Sequence, residues 1–453
     1  MRLLQPAVSR GGVFIASWRK ELPQAAAAWW ASLFLTLHVL TLLVSLAASQ
    51  AFLAASTIAY FTHLLRNHPP ISFPRIKLPL SLFCLATVNS MLWATEPALG
   101  GFVIRKLVLF IVLLLIANLI ASHKHLDGIF RGVFFVSALA GLVGIAQFAI
   151  QYHTVRRLHP GQVYYFMTLT RIHGFMGHWM NFGGQQMLIF AALLAFLLLA
   201  PTDGRGGRGK GLYWLLMTAI AVSIVLTFTR GVWLGCFVAT LYIVMKWKPR
   251  ALWAIPILLF VVYLAAPSMI RRRVSLAFHP GDDPALAIRL EMWRAGLKMI
   301  QAHPWVGVGP DNIQLVYPQY LPPGTTPQVG FHDHLHNNLL QMAAERGLPC
   351  LGIWLWFMLA LGWHILRIRR GLASQRWVAD AVFAAWLAFL AEGFFEFNFG
   401  TSPVLLVFLF LMSVPFAAEQ IERRAKESSA AAPADDERRL DPGHPPLITR
   451  HLA

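Results

Sequence analysis

Long apolar runs, separated by short polar breaks, recur through this 453-residue chain and leave it few folds to choose from. Runs of about 17–25 apolar residues cross the hydrocarbon core of a bilayer as helix, because in lipid each spanning backbone must satisfy its own hydrogen bonds. Only 13% of the residues are charged and 57% are hydrophobic. An ordinary soluble domain carries about 25% charged residues, so that class is excluded. The runs predict an all-α polytopic membrane protein with about twelve transmembrane helices, near 27–46, 49–66, 78–95, 103–121, 130–150, 185–201, 211–229, 231–247, 251–267, 348–367, 377–397 and 402–420. The only polar break between the first two is Ala48-Ser49-Gln50.

The net charge of +18 would suit nucleic acid, yet the basic residues sit as short clusters between the apolar runs. Orientation in a membrane accounts for them, and no nucleic-acid partner is expected. Arg66, Arg75 and Lys77; Arg205, Arg208 and Lys210; and Arg367, Arg369, Arg370 and Arg376 alternate with less basic loops. Together with the basic termini, these segments place both chain ends on the cytoplasmic side of the membrane, with membrane lipids as partners. The apolar run after Arg19 and Lys20 is too long for a signal peptide and reads as a retained anchor. Cys84, Cys236 and Cys350 lie far apart in or beside apolar runs and form no disulfide framework.

The expected organisation is helices 1–9 over residues 1–267 with an outer loop near 151–184, a periplasmic segment over 268–347, helices 10–12 over 348–421, and a disordered cytoplasmic tail over 422–453. Within the 268–347 segment, Asp283-Pro284 is a helix start. An amphipathic helix follows, with Ile288, Met292, Leu297 and Ile300 as its candidate buried face, and His303-Pro304 stops it. A further short helix is expected from His336 to Arg346.

The densest polar run is Phe331-His332-Asp333-His334-Leu335-His336-Asn337-Asn338. Alternate histidines would share one face of an extended strand, which resembles metal-ligand geometry with Asp333 nearby. One histidine acting as a general base on a hydroxyl is the second reading, and plain interfacial polarity the third. Arg230 stands where two spans meet and is either a lipid-phosphate contact or an anion clamp. Arg289 and Arg294 are five apart on the amphipathic helix, so they do not share one role. The Arg271-Arg272-Arg273 run is expected at anionic headgroups. Glu392 and Glu396, one helical turn apart near the end of the eleventh span, are candidates to hold an arginine, with a proton pathway as the rival. Arg171-Ile172-His173-Gly174-Phe175-Met176-Gly177-His178 adds donors for an anionic ligand.

Four stretches together resemble the O-antigen ligase and polymerase superfamily of bacterial envelope glycosyltransferases. They are Arg171 to Asn181; Thr229-Arg230-Gly231; Arg289-x-x-x-Trp293 through Pro304-Trp305-x-Gly307-x-Gly309-Pro310-x-Asn312; and His336-Asn337 followed by Gly347. The resemblance implies a GT-C-like, metal-independent, inverting transferase with no cofactor, whose site faces the periplasm. Its donor would be an undecaprenyl-diphosphate-linked glycan and its acceptor a hydroxyl of lipid A-core. Carried over by motif, Arg230 and Arg289 would hold the diphosphate, and His336 would activate the acceptor. Arg171, His334, Asn337, Trp293, Glu392 and Glu396 complete the expected substrate site. The single dominant outer segment favours a ligase. A polymerase and a protein O-oligosaccharyltransferase are the neighbouring readings, and a lipid or polysaccharide transporter is the reading from another class.

Overall fold

The computed structural model describes residues 26–201, 210–279, 281, 283–325, 333–372 and 375–431. Among these it is helical with no strands, in the order α1 (Ala26–Thr41), α2 (Leu46–Asn67), α3 (Lys77–Leu92), α4 (Gly101–Leu119, with a 3-10 turn inside), α5 (His123–Leu158), α6 (Val163–Leu169), α7 (Trp179–Leu199), α8 (Gly211–Leu226), α9 (Arg230–Trp247), α10 (Pro249–Ala265), α11 (Ser268–Ser275), α12 (Pro284–Ala302), α13 (Asn338–Gly371), α14 (Arg376–Glu392) and α15 (Ser402–Ala431). Every run expected to span coincides with one of these helices. Five of them (α4, α5, α7, α13 and α15) are long and apolar enough to cross a membrane, and α1, α3, α8 and α10 are shorter apolar helices. These are the elements of a membrane protein.

Helices α7 and α15 are apolar all round and form the centre, with 78% and 89% of their apolar windows buried. The bundle closes through α7, α9 and α14 on one side, α4 and α15 on another, and α3 against α13. By contrast α10 buries no residue and presents its apolar surface outward on all sides. Near the end of the bundle away from the histidine run, Asp380 on α14 accepts from Arg369 of α13 at 2.6 Å and from the Tyr242 hydroxyl of α9 at 2.7 Å. Three helices are thereby joined through one buried carboxylate.

Several boundaries differ from the sequence expectations, each for a local reason. The first two helices part at 42–45, not at Ala48-Ser49-Gln50, because the Ser45 hydroxyl caps α2 by accepting from the Ala48 amide. Ser49 instead lies inside α2 and bonds His38 across the pair at 2.8 Å. Helix α5 runs on to Leu158, so much of the expected 151–184 loop is helix. Helix α15 continues to Ala431, which makes the start of the expected tail helical; residues 432–453 lie outside the described residues.

The segment between α11 and α13 is a folded layer on one end of the bundle. Asp283 caps α12 by accepting from the Ala285 amide, with Pro284 at the first helical position, and His303 closes it, as expected. The buried face is Met292, Ala295 and Met299, with Ile288 and Ile300 beside it. Leu297 is 51% exposed, because its position falls off the 292–295–299 stripe. The Pro304–Asn312 turn then docks against a break in α13 at Gly347. Amides of Val308, Gly309 and Leu348 reach the carbonyls of Ala344, Glu345 and Pro304 at 2.8–2.9 Å, and the Ser90 hydroxyl of α3 donates to Val306 and Glu345 carbonyls. The orphan carbonyls at the break are satisfied by this neighbouring segment.

Gly347 carries this packing, at φ 81° and ψ 165°, a region essentially restricted to glycine. A Cβ there would lie 2.2 Å from the Trp305 carbonyl oxygen. Gly347→Ala is therefore expected to destabilise the folded layer by several kcal/mol, combining backbone strain of about 1–3 kcal/mol with the clash. Limited proteolysis of the 268–347 segment in detergent-solubilised protein checks this: cleavage should appear at protease levels that leave wild type intact.

Candidate active site

The histidine run does not form the strand that would put alternate imidazoles on one face. Residues 333–337 are an irregular turn, His336 takes a left-handed backbone at φ 48°, and His332 lies outside the described residues. Asn337 ends the turn by capping α13: its Oδ1 accepts from the Leu339 and Leu340 amides at 2.8 and 3.0 Å, and its Nδ2 donates to the Phe394 carbonyl. Behind the turn, the Leu335 amide donates to Gln341 and the Trp293 indole donates to the Leu335 carbonyl. Trp293 and Asn337 thus have their polar atoms committed to holding His336 in place, where a substrate contact was expected of each.

Glu396 is the partner that organises the turn. The sequence expectation set it one helical turn from Glu392 on a span, but α14 ends at Glu392 and Glu396 lies in the 393–401 connector. His336 Nδ1 donates to its carboxylate at 3.0–3.1 Å and His334 Nε2 donates at 3.0 Å, since an ionised carboxylate only accepts. Arg289 of α12 reaches the same carboxylate at 3.7 Å. Burial by itself lowers the His334 pKa, but its hydrogen bond to Glu396 and that charge outweigh it and raise the pKa above the ordinary value. With Nδ1 of His336 fixed as a donor, its Nε2 is left as the basic nitrogen and has no hydrogen-bond partner among the described residues. Glu392 serves another purpose: it accepts from Asn398 at 2.6 Å inside the bundle, and that amide in turn accepts from Asn338.

Beside this group, four arginines from four parts of the chain converge. Arg230 opens α9 after the strained Thr227-Phe228-Thr229 link (Phe228 φ 52°) and pairs with Asp283 at the start of α12. Arg289 comes from α12. Arg171 follows α6, donates from Nε to the Thr168 carbonyl at 2.8 Å and lies 5.2 Å from the Trp179 ring. Arg273, on α11, is buried and donates from Nε to the Phe228 carbonyl at 3.0 Å. Burial first, and then the positive charges of Arg273, Arg289 and Arg230, push the Arg171 pKa down to about 9. Burial and the charge of Arg230 also lower that of Arg273. Four guanidinium groups gathered here, against one carboxylate each on Arg230 and Arg289, form a site suited to a further anion. Arg294 faces solvent, as its spacing from Arg289 implies.

Arg273 was missed by sequence reasoning. Three consecutive arginines at a membrane edge look alike, and only the turn of α11 separates them. Arg272 lies over the Tyr164 ring at 4.5 Å, and Arg273 turns inward. The Arg171–Asn181 stretch is positioned by Gln147 of α5, whose side chain takes the amides of His173 and Gly174 and donates to the Gly174 carbonyl. It also brings His178 near enough to feel the charges of Glu396, His334, Arg171 and His336, although burial is the main cause of its lowered pKa.

Nitrogens of His334 and His336 and an oxygen of Glu396 lie within 4.8 Å of one another, a set that three ligands of a metal ion would require. Asp333 is exposed and is not part of that set. The same three groups also satisfy one another by hydrogen bonds.

Residues 215–355 match the family model described as O-antigen ligase, which bears out the family resemblance read from the sequence. The matched segment includes Arg230, Arg273, Arg289 and His336, while Arg171, Glu392 and Glu396 lie outside it. No curated protein matches the chain.

Proposed function

We propose that this chain is an O-antigen ligase, transferring a glycan from undecaprenyl diphosphate to a hydroxyl of lipid A-core at the periplasmic face of the inner membrane. It would cross the membrane about twelve times with both termini in the cytoplasm. The observation that carries the proposal is the juxtaposition of a carboxylate-oriented histidine, His336, with four convergent arginines. Arg230 and Arg289, supported by Arg171 and Arg273, hold the diphosphate. The acceptor hydroxyl oxygen attacks the anomeric carbon from the face opposite the leaving group and inverts it. As the new C–O bond forms, the bond to the diphosphate oxygen breaks and the hydroxyl proton passes to Nε2 of His336. Glu396 stabilises the resulting imidazolium through Nδ1–H. Undecaprenyl diphosphate departs with its added charge held by the arginines.

The reaction is taken as metal-independent, because histidine and guanidinium groups supply both the base and the positive charge. Transfer by the purified protein should continue undiminished after incubation with EDTA; loss of transfer that zinc restores would assign His334, His336 and Glu396 to a metal instead. Deleting the gene and resolving lipopolysaccharide on a gel tests the assignment in the cell. Core bands lacking long chains, with accumulated lipid-linked polymer, are expected. A single repeat on core would indicate a polymerase, and unchanged lipopolysaccharide would point to protein glycosylation or transport.

A further inference from the structure

Arg105 and Lys106 take no part in the site above, yet they lie in the first turns of α4, an otherwise apolar candidate span. Charges inside spans are costly and mark function more often than not. In the orientation proposed here this is the periplasmic end, where basic residues are least favoured. Neither forms an ion pair among the described residues: Arg105 lies 5.3 Å from the Phe102 ring, and Lys106 donates to the Gly400 carbonyl at 2.7 Å. Both line a cavity of about 560 Å³ between α2, α4 and the first residue of α15. Its walls are apolar, from Leu53, Ile58, Phe102 and Val108, and no acidic residue lines it. The volume is that of a small-molecule site.

The position of this cavity matters as much as its chemistry. Lys106 holds one end of the 393–401 connector through Gly400, and Glu396 in the same connector holds His336. The four arginines come from α9, α11, α12 and the residues after α6, with Arg289 reaching the carboxylate that holds His336, whereas the cavity is lined by α2, α4 and the first residue of α15. Largely apolar walls with two cations among the lining residues complement a lipid whose sugar head bears phosphate. From this we infer that the cavity is the acceptor-lipid site: acyl chains of lipid A lie along α2 and α4, with a head phosphate on Arg105 and Lys106. The inference rests on the proposed function for the identity of the lipid, and it places donor and acceptor on opposite sides of the connector.

Binding can be measured without catalysis. Full-length protein in phosphatidylcholine nanodiscs, with no donor present, is titrated with fluorescent bis-phosphorylated lipid A-core. The double variant Arg105→Glu with Lys106→Glu should bind at least about tenfold more weakly, the loss of a charge-assisted contact, and Ala54→Trp, which fills the cavity, should also weaken binding. Arg105→Lys should retain most of the affinity and reports that the fold survives. Affinity for undecaprenyl diphosphate should be the same in Ala54→Trp and Arg105→Lys, which leave the Lys106 bond to Gly400 in place. Unchanged lipid A-core binding in both the double variant and Ala54→Trp would overturn the inference. So would equal binding of dephosphorylated lipid A-core, displacement mole for mole by phosphatidylglycerol, or weakened undecaprenyl diphosphate binding in Ala54→Trp instead. If wild type binds lipid A-core in this cavity but never glycosylates it, the proposed function fails and the site stands. If glycosylation occurs while the variants bind normally, the site fails and the function stands.

Discussion

Arg230→Ala and Arg289→Ala are each expected to lower glycan transfer by about 10²–10³-fold, the usual effect of removing one preorganised positive group from a developing anion. The protein should still insert and fold, because each arginine is partly exposed, with 22% of its side chain accessible. Removing Arg230 leaves Asp283 its capping bond to Ala285, and removing Arg289 leaves Glu396 its two histidines. Lysine at either position should recover only part of the rate, since it presents a point charge where a guanidinium offers a planar fork to phosphate. Turnover measured at saturating donor is the informative quantity, as charge that builds only when the diphosphate leaves is felt in the transition state. Normal turnover in either alanine variant would remove the diphosphate clamp.

His336→Ala carries the second large effect, a loss of about 10²–10⁴-fold expected of a missing general base. His334→Ala should do much less, because His334 shares the Glu396 carboxylate but is bound to it through its own Nε2. Glu396→Gln falls between them: glutamine can accept from Nδ1 but cannot stabilise an imidazolium. The pH–rate profile separates a positioning role from a merely structural one. With Glu396→Gln the shape of the profile should change, while a purely structural lesion would reduce the rate equally at all pH values. Equal losses in His336→Ala and His334→Ala would contradict the assignment.

The helices were legible because lipid imposes long uninterrupted apolar runs, and the cap at Asp283 was equally plain, whereas the helix expected from His336 begins at Asn338 behind an Asn337 cap that was not foreseen. Gly307, Gly309 and Gly347 were legible only as a pattern. Their use, sealing the break in α13 against the Pro304–Asn312 turn, depends on a contact between segments some forty residues apart. The partnership of His336 with Glu396 spans 60 residues and was hidden for a different reason. Apolar periodicity carried Glu396 into the preceding span, whereas α14 stops at Glu392 and frees it to face the histidines. Arg273 could not be told from Arg271 and Arg272 without the turn of α11. Local composition finds groups with chemistry to offer; which of them meet is decided by packing over long sequence separations.

The central claim, a metal-independent transfer driven by His336 and the arginines, is tested most directly by reconstitution. Purified full-length protein in lipid vesicles is given an undecaprenyl-diphosphate-linked glycan and lipid A-core in EDTA, and the products are resolved on a gel. Glycosylated lipid A-core should appear with wild type and be absent with His336→Ala. Product from His336→Ala at the wild-type rate, or no product from correctly inserted wild type, would contradict the account.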